Sequence, residues 1–490
     1  MSRRIASSVT EPSQNERGGG GGAFTTVKRD KQFSQQYANL YWLRLVVLRN
    51  RLEQRARQRW SRLQGNRPRH VKRLLEIENG KLCYVLGTLY VDMPLKPNVL
   101  EDLARDHHIT APPKRDKYHS KSDEVMLEDE SGRVRLVGTK MIEDAGSFVT
   151  GTIVACLGAE TSSGDFEVFE YMYCGMPDQP ERPTRRQRPT EGEEEGEWIA
   201  IASGLEMGNE QDVGDLKSEL FVEWLNGELG ANEDSQEAIK VSRLVLAGNS
   251  LAQPDLSLVD ENKKKRYGYD SSLYSSRPTR ALDEFLSQLS PTLPIDLMPG
   301  DQDPTAPTMP QQSLHPALLP NAAQWQHFVG RTNPWSFKVN DTTFLGTSGQ
   351  TIDDVYKYLE TRDRLSIAQQ TLEWSHIAPT CPDTLWCYPF TDRDPFILSE
   401  TPHVYFIGNQ PRFETKLVER ERRRDEHDDD DEGLDDDVRG REEDGKERDE
   451  KTTTRTTRVR IVLVPKFRET GQVVLVNSES LEVKLVDFQV

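Results

Sequence analysis

The chain has 490 residues and a formal net charge of −18, with 35% hydrophobic and 29% charged residues. That length predicts two folded units plus unfolded material, and no run of about 18 uncharged apolar residues exists to form a membrane-spanning helix. The opening MSRRIASSVTEPSQ lacks the apolar core of a secretory signal, and five irregularly spaced cysteines (Cys83, Cys156, Cys174, Cys381 and Cys387) exclude a disulfide framework and suit a reducing compartment.

The charge is unevenly placed. Residues 425–450 hold 16 acids and 4 bases, a local charge of −12, whereas residues 28–73 hold 14 Lys and Arg against Asp30 and Glu53, a local charge of +12. Such asymmetry is common in chains that meet nucleic acid or an acidic partner. The acidic run itself reads as a solvated, disordered insert.

Residues 1–30, with the unbroken run Gly18 to Gly22, read as a flexible tail. From Phe33 a helix is predicted, because Tyr37, Tyr41, Leu45, Leu48, Leu52, Ala56, Trp60 and Leu63 recur at steps of three and four. Its opposite face carries Arg44, Arg51, Arg55, Arg59 and Arg62, expected to be solvated while the apolar stripe docks on the core. Five strand segments follow: Val71–Ile77, Leu82–Val91, a hairpin of Glu124–Leu127 and Val134–Val137, Val149–Leu157, and Phe166–Tyr173. Gly87 suggests a bulge in the second, and the hairpin turns at Glu130-Ser131-Gly132. Val99 to His107 reads as a short helix. Curved strands of this number suit a Greek-key barrel of the oligonucleotide-binding (OB) type. Its aromatics Tyr84, Tyr90, Phe169, Tyr171 and Tyr173 are suited to stacking bases, but basic residues are sparse among the strands. Packing against the second domain or a partner is the better reading.

After a Pro- and charge-rich linker, Asp178 to Glu197, the pattern becomes α/β. Apolar strands are expected at Trp198–Ala202, Leu244–Ala247, Ile295–Met298, Phe344–Gly346, Val404–Ile407, Val459–Val464 and Val473–Val476, with helices at Asp215–Leu229 and Ala281–Leu289. Short buried strands alternating with helices make a layered sheet covered on both faces. The division is thus a tail (1–30), a helix with an OB-fold domain (31–177), a linker (178–197), and a second domain (198–490) interrupted by a disordered acidic insert (420–457).

Four strand-end loops place glycine beside polar residues: Gly204-Leu205-Glu206, Gly248-Asn249-Ser250, Gly300-Asp301-Gln302-Asp303 and Gly408-Asn409-Gln410-Pro411. Ligand groups in open α/β sheets sit on such loops. The order and spacing resemble the calcineurin-like metallophosphoesterases, whose loops clamp two metal ions. The ligands themselves are missing. Gly204 and Glu206 stand where that family has Asp-x-His, and Asn249 where it has Asp. Asp301, Gln302 and Asp303 replace Asn-His-Asp, and Asn409 and Pro411 replace the two histidines of the last loop. Asp301, Asp303 and Asn249 are left as weak donors for a Mg²⁺ ion; a dinuclear centre is not expected, and no cofactor is assigned. Cys381 and Cys387 read as buried thiols, His107 and His108 as a surface pair, and His376 and His403 as satisfied core histidines. No nucleophile, base and orienting group assemble.

Several stretches are more specific: Leu86 to Leu89, Met298 to Asp301 continuing to Asp303-Pro304-Thr305, Leu314 to Pro316, Leu345 to Gln350, Ile377 to Pro379, Pro382 to Leu385, Cys387 to Phe390, and Pro402 to Asn409. On these the chain resembles the B subunits of the alpha, delta and epsilon DNA polymerases, and the delta branch best, in a fungal version. The resemblance covers most of the chain from about Phe33, except the insert. It implies an α+β and α/β multidomain fold: an N-terminal helix, an OB-fold β-barrel, and a calcineurin-like phosphodiesterase-type layered αββα domain without metals. It also implies a non-catalytic nuclear scaffold for replication and repair synthesis. Its partners would be the Cys-rich C-terminal domain of the catalytic subunit and a third subunit, the sliding clamp indirectly, and DNA within the complex. The alternatives are a residual metal-dependent phosphodiesterase or nuclease using Asp301 and Asp303, or a single-stranded DNA-binding OB protein.

Overall fold

The computed structural model describes residues 23–26, 36–61, 68–97, 115–182, 196–209, 214–229, 237–253, 275–423 and 454–489. The expected helix at Val99–His107, the pair His107-His108, the helix start at Phe33 and the stripe residue Leu63 lie outside them, as does most of the linker.

Helix α1 (Ala38–Trp60) buries Leu45, Leu48, Leu52, Ala56 and Trp60 of the expected stripe together with Leu40, whereas Tyr41 is half-buried and Tyr37, just before the helix, is exposed. Six strands follow: β1 (Arg69–Val71), β2 (Cys83–Asp92), β3 (Glu124–Glu128), β4 (Arg133–Val137), β5 (Ile153–Glu160) and β6 (Phe166–Tyr173). They run in the order β1-β2-β3-β4-β6-β5, and an additional β2–β5 pairing closes the sheet into a barrel. Helix α2 (Thr139–Glu143) lies between β4 and β5. In β2 the alternation divides two cores. Cys83, Val85, Leu89 and Val91 face the barrel interior, while Tyr84 and Leu86 face α1.

Three local expectations are corrected. The segment 71–77 is a strand only to Val71; Leu74–Glu76 forms a 3₁₀ turn, because Asp129 accepts the Leu74 amide and pulls the chain out of the sheet. The segment expected to start at Val149 enters the ladder only at Ile153. Gly87 makes no bulge. The β2–β5 register is unbroken from Cys83↔Gly158 to Thr88↔Ile153, and the glycine is needed because a Cβ would lie 2.6 Å from the Glu128 carbonyl of β3.

The second half packs two sheets face to face. The first contains parallel strands β7 (Trp198–Ala202), β8 (Val241–Ala247), β9 (Ile295–Met298) and β10 (Phe328–Gly330). The second contains β11 (Trp335–Val339), β12 (Thr342–Thr347), β13 (Val404–Gln410), β14 (Glu414–Arg423) and β15 (Thr454–Pro465), with β12, β13 and β15 parallel. Strands β16 (Gln472–Asn477) and β17 (Val483–Asp487) then return antiparallel to the first sheet beside β7. Ile199, Ile201, Val245 and Met298 meet Phe337, Phe344, Val404, Phe406 and Val462 between the sheets. Outside the first sheet lie α3 (Gly214–Asn226) and α4 (Arg277–Leu289), through Phe221, Leu225, Leu282, Phe285 and Leu286. Outside the second lie α5 (Gln350–Tyr358) and α6 (Arg364–Glu373), through Ile352, Val355, Ile367 and Leu372. A short helix, α7 (Phe467–Thr470), links β15 to β16. The order is therefore helix, sheet, sheet, helix.

The hydrophobic core around α5 and α6 continues without a break into the barrel interior, joining Ile352, Leu372 and Tyr405 to Val85, Leu89 and Phe166. Three further boundaries move. In the helix expected at Asp215–Leu229, which ends at Asn226, Leu216 is exposed and Phe221 is buried. Part of the expected tail is docked: Phe24 and Thr26 are buried. The β14–β15 ladder runs on to Arg423↔Thr454, so 420–423 and 454–457 belong to strands rather than to the insert.

Candidate functional site: the strand ends and the barrel joint

The four loops singled out in the sequence converge at the ends of β7, β8, β9 and β13. Glu206, Asn249 and Asn409 all have left-handed backbones, with φ of 46°, 53° and 55°, and such outliers gather at active sites, ligand clamps and switch regions. The loops are tied to one another: Gly204 N donates to Gly248 O (2.9 Å), Glu206 N to Asn249 O (3.1 Å) and Gln302 N to Asn249 Oδ1 (3.2 Å). Asp303 is buried and spends both oxygens on the backbone. Its Oδ1 accepts from the amides of Ser250 and Leu251 (3.0 Å each) and its Oδ2 from Gly300 N (2.8 Å). Burial nonetheless pushes its pKa up to about 6. Asn409 Nδ2 donates to the carbonyls of Ala247 (3.3 Å) and Ser348 (2.8 Å), and its Oδ1 is buried without a partner. At Gly204, with φ of 62°, a Cβ would approach that oxygen to 2.9 Å. Asp301 and Pro411 are exposed, and Gln302 is half-buried.

Two cations face the same loops. Lys466 Nζ lies 4.0 Å and Arg468 Nε 3.9 Å from the Glu206 carboxylate. Burial raises the pKa of Glu206 and the two cations oppose it. The donor set does not suit the two metal ions of the phosphoesterase pattern. The one buried carboxylate is committed to N–H groups, the loops carry no imidazole, and an ammonium and a guanidinium supply positive charge where cations would have to sit. Among the described residues no group of three or more His, Cys, Asp or Glu is placed to hold a metal.

A buried cluster of charged groups lies elsewhere, where α1 meets the second half. Arg44 is buried, correcting its assignment to a solvated face. Its Nε donates to Asp394 Oδ2 (2.8 Å), Nη1 to the carbonyls of Gly151 (3.2 Å) and Pro379 (2.8 Å), and Nη2 to Cys381 O (2.8 Å). His376 Nδ1 accepts the Ala378 amide (3.2 Å), which leaves the proton on Nε2 facing Asp394 Oδ2 (2.9 Å). Burial and Arg44 lower the His376 pKa to about 4. Asp394 is held far below the carboxylate range by Arg44 and His376 against its own burial. Arg51 donates to Ser375 Oγ and Leu398 O (3.1 Å each), and Arg55 to the carbonyls of Tyr173 and Cys174. The arginine face is therefore largely a joint. The signal was in the sequence: position 44 stands four residues after Leu40 and four before Leu48, on the buried stripe itself.

His376 and His403 are satisfied core histidines as expected; His403 Nδ1 accepts the Thr343 amide (3.1 Å), and burial lowers its pKa to about 4. All five cysteines are free and buried. Of the barrel aromatics, Tyr173 packs on Trp374 of the second half (6.0 Å between centroids), while Tyr84 stacks on His70 (4.9 Å). Tyr90 lies under Arg133 and Tyr171 donates to Asp144 (2.7 Å), leaving Phe169 exposed.

The family model described as "DNA polymerase delta subunit OB-fold domain" matches residues 36–171, and the model for the DNA polymerase alpha/epsilon B subunit matches residues 199–415. The DNA polymerase delta small subunit of Arabidopsis thaliana is 36% identical over 462 residues, spanning 94% of this chain and 93% of the relative. The chain belongs to the DNA polymerase delta small-subunit family. Its Saccharomyces cerevisiae relative of the same name is 31% identical over 505 residues, 95% of this chain and 92% of the relative. The DNA polymerase II small subunit of Pyrococcus horikoshii is 23% identical over 306 residues, 59% of this chain and 45% of the relative. As a small subunit, the chain is an accessory, non-catalytic member of its polymerase.

Proposed function

We propose that this small subunit is a rigid scaffold of DNA polymerase delta in the nucleus, serving replication and repair synthesis. It bridges the Cys-rich C-terminal domain of the catalytic subunit and a third subunit, and reaches the sliding clamp only through them. In this reading residues 31–177 are the OB-fold unit. Residues 198–490 are a calcineurin-like phosphodiesterase domain that has lost its metals, with Gly204, Glu206, Asn249, Asp301, Gln302, Asp303, Asn409 and Pro411 at the former ligand positions. The observation that carries the reading is the commitment of Asp303, Asn249 and Asn409 to backbone groups beside Lys466 and Arg468. A site so occupied holds loops in place instead of binding substrate, and a catalytically idle fold is free to present wide surfaces. The shared core between barrel and second half supports the same reading, because a scaffold must hold its faces at a fixed angle.

Two experiments test it. Co-expression with the catalytic subunit's C-terminal domain is expected to bring both chains into solution as one complex; independent elution of two soluble chains would refute the scaffold. Incubation with Mn²⁺ and a phosphodiester is expected to give no turnover that Asp301→Ala abolishes.

A further inference from the structure

The segment Ala23-Phe24-Thr25-Thr26 follows directly on the run Gly18 to Gly22. Nothing in its composition distinguishes it from a tail, yet its backbone is read by side chains 286 to 368 residues away. Gln312 Nε2 donates to Phe24 O (3.2 Å) and Gln312 Oε1 accepts from Thr26 N (3.2 Å). One amide thus makes both bonds that a neighbouring β-strand would make to residues i and i+2. Arg393 Nη2 donates to Thr25 O between them (3.4 Å). The Gln312 amide is held ready for these bonds, because its Nε2 also donates to Pro310 O (3.0 Å), while the Gln312 main-chain carbonyl accepts from Thr305 Oγ1 (2.9 Å). Phe24 is 6% exposed and belongs to the hydrophobic core that also holds Met309 and Leu40.

Backbone bonds to an extended segment combined with one aromatic pocket are the components of strand-addition peptide recognition, in which the main chain gives affinity and the pocket selects. The cis occupant also fits imperfectly. Thr26 Oγ1 and Arg393 Nε are both buried without a partner, so the segment leaves a guanidinium donor unmet at the groove. An unmet buried donor favours replacement by a segment that supplies an acceptor.

We propose that this groove, built from Gln312, Arg393 and the buried seat of Phe24, is a peptide-binding site. The chain's own residues 23–26 fill it in cis, and an extended segment of another protein with a Phe anchor exchanges with them. The tethered segment competes at an effective concentration in the millimolar range, so a filled groove requires the free peptide to bind an opened chain with a dissociation constant of about 0.1 mM or tighter. The proposal is independent of the scaffold reading, since it concerns only this groove.

The probe is a fluorescent peptide of residues 21–28, titrated by anisotropy against three full-length chains. Two of them empty the groove in different ways: Phe24→Ala removes the anchor, and Thr26→Pro removes the amide that Gln312 reads. Both are expected to bind the peptide at least tenfold more tightly than the wild-type chain, whose groove is filled. The same peptide with Ala in place of Phe24 should bind neither. Adding Gln312→Ala to Thr26→Pro should weaken binding at least tenfold. Equal binding by all chains, or no saturation by either opened chain up to a few millimolar peptide, would overturn the proposal. Circular dichroism of each variant separates a lost fold from a lost site, and the milder Thr26→Pro chain, which leaves the core untouched, carries the decision if Phe24→Ala unfolds.

Discussion

The strand-end loops and the barrel joint are both polar clusters built from loops and buried charge, but they solve opposite problems. At the joint, one guanidinium meets a carboxylate and three carbonyls, and the carboxylate meets an imidazole and the Phe396 amide. At the strand ends, backbone amides hold the buried carboxylate, side-chain cations stand near 4 Å from the half-buried one, and a buried amide oxygen is unmet. The contrast shows that similarity to an active site in loop order carries no information about where a molecule concentrates its electrostatics. Here that concentration lies between the helix and the second half, where it fixes geometry.

The largest expected effect breaks the joint. Arg44→Ala leaves Asp394 buried without its counter-charge and should cost about 3–5 kcal/mol in urea unfolding; a loss below 1 kcal/mol would remove the joint from the account. Arg44→Met combined with Asp394→Leu should recover only part of that loss, because the carbonyls of Gly151, Pro379 and Cys381 still lack a donor. Next is Asp303→Ala, which orphans three buried amides and should cost roughly 2–4 kcal/mol. A smaller change there would mean that the strand ends are not locked by that carboxylate.

Acidification sharpens the comparison from both sides. His376 has a folded pKa of about 4 against an ordinary 6.5. Between those values the unfolded chain binds the proton and the folded chain does not, so stability falls as pH drops from 7 to 5, by about 1–2 kcal/mol for this histidine. Asp303 acts with the opposite sign. Its folded pKa of about 6 exceeds the ordinary 3.8, so protonation favours the folded state as pH falls through 6. The His376→Gln chain should therefore lose less stability than wild type between pH 7 and pH 5. The smallest effect belongs to Asp301→Ala, which changes an exposed side chain and should stay within about 0.5 kcal/mol.

Much of this architecture was legible from periodicity. The run Leu82–Val91 was strand β2 almost end to end, and the runs at 198–202, 244–247, 295–298 and 404–407 were strands because buried parallel strands are continuously apolar. Charged edges were not legible: β14 reads ETKLVERERR and pairs on one side only, so its outer groups face water and its composition imitates a loop. The convergence of Gly204, Asn249, Asp303 and Asn409 followed from the rule that loops gather at strand C-termini. The roles of Lys466 and Arg468 did not, since they follow β15 and belong to none of the four loops. Arg44 was misread because residue type was allowed to outweigh position on the helix. Phe24 was missed because one aromatic in a polar stretch has no period.

The ribbon of β14 and β15 has a consequence for how this chain varies in length. Its rungs run from Glu414↔Leu463 out to Arg423↔Thr454, which sets the two ends of residues 424–453 on adjacent strands. Closing such a segment costs only about 0.6 kcal/mol more for each doubling of its length. On that loop-closure cost alone, a change in the number of residues between the clamped ends is expected to leave the β14–β15 ribbon almost as stable as before.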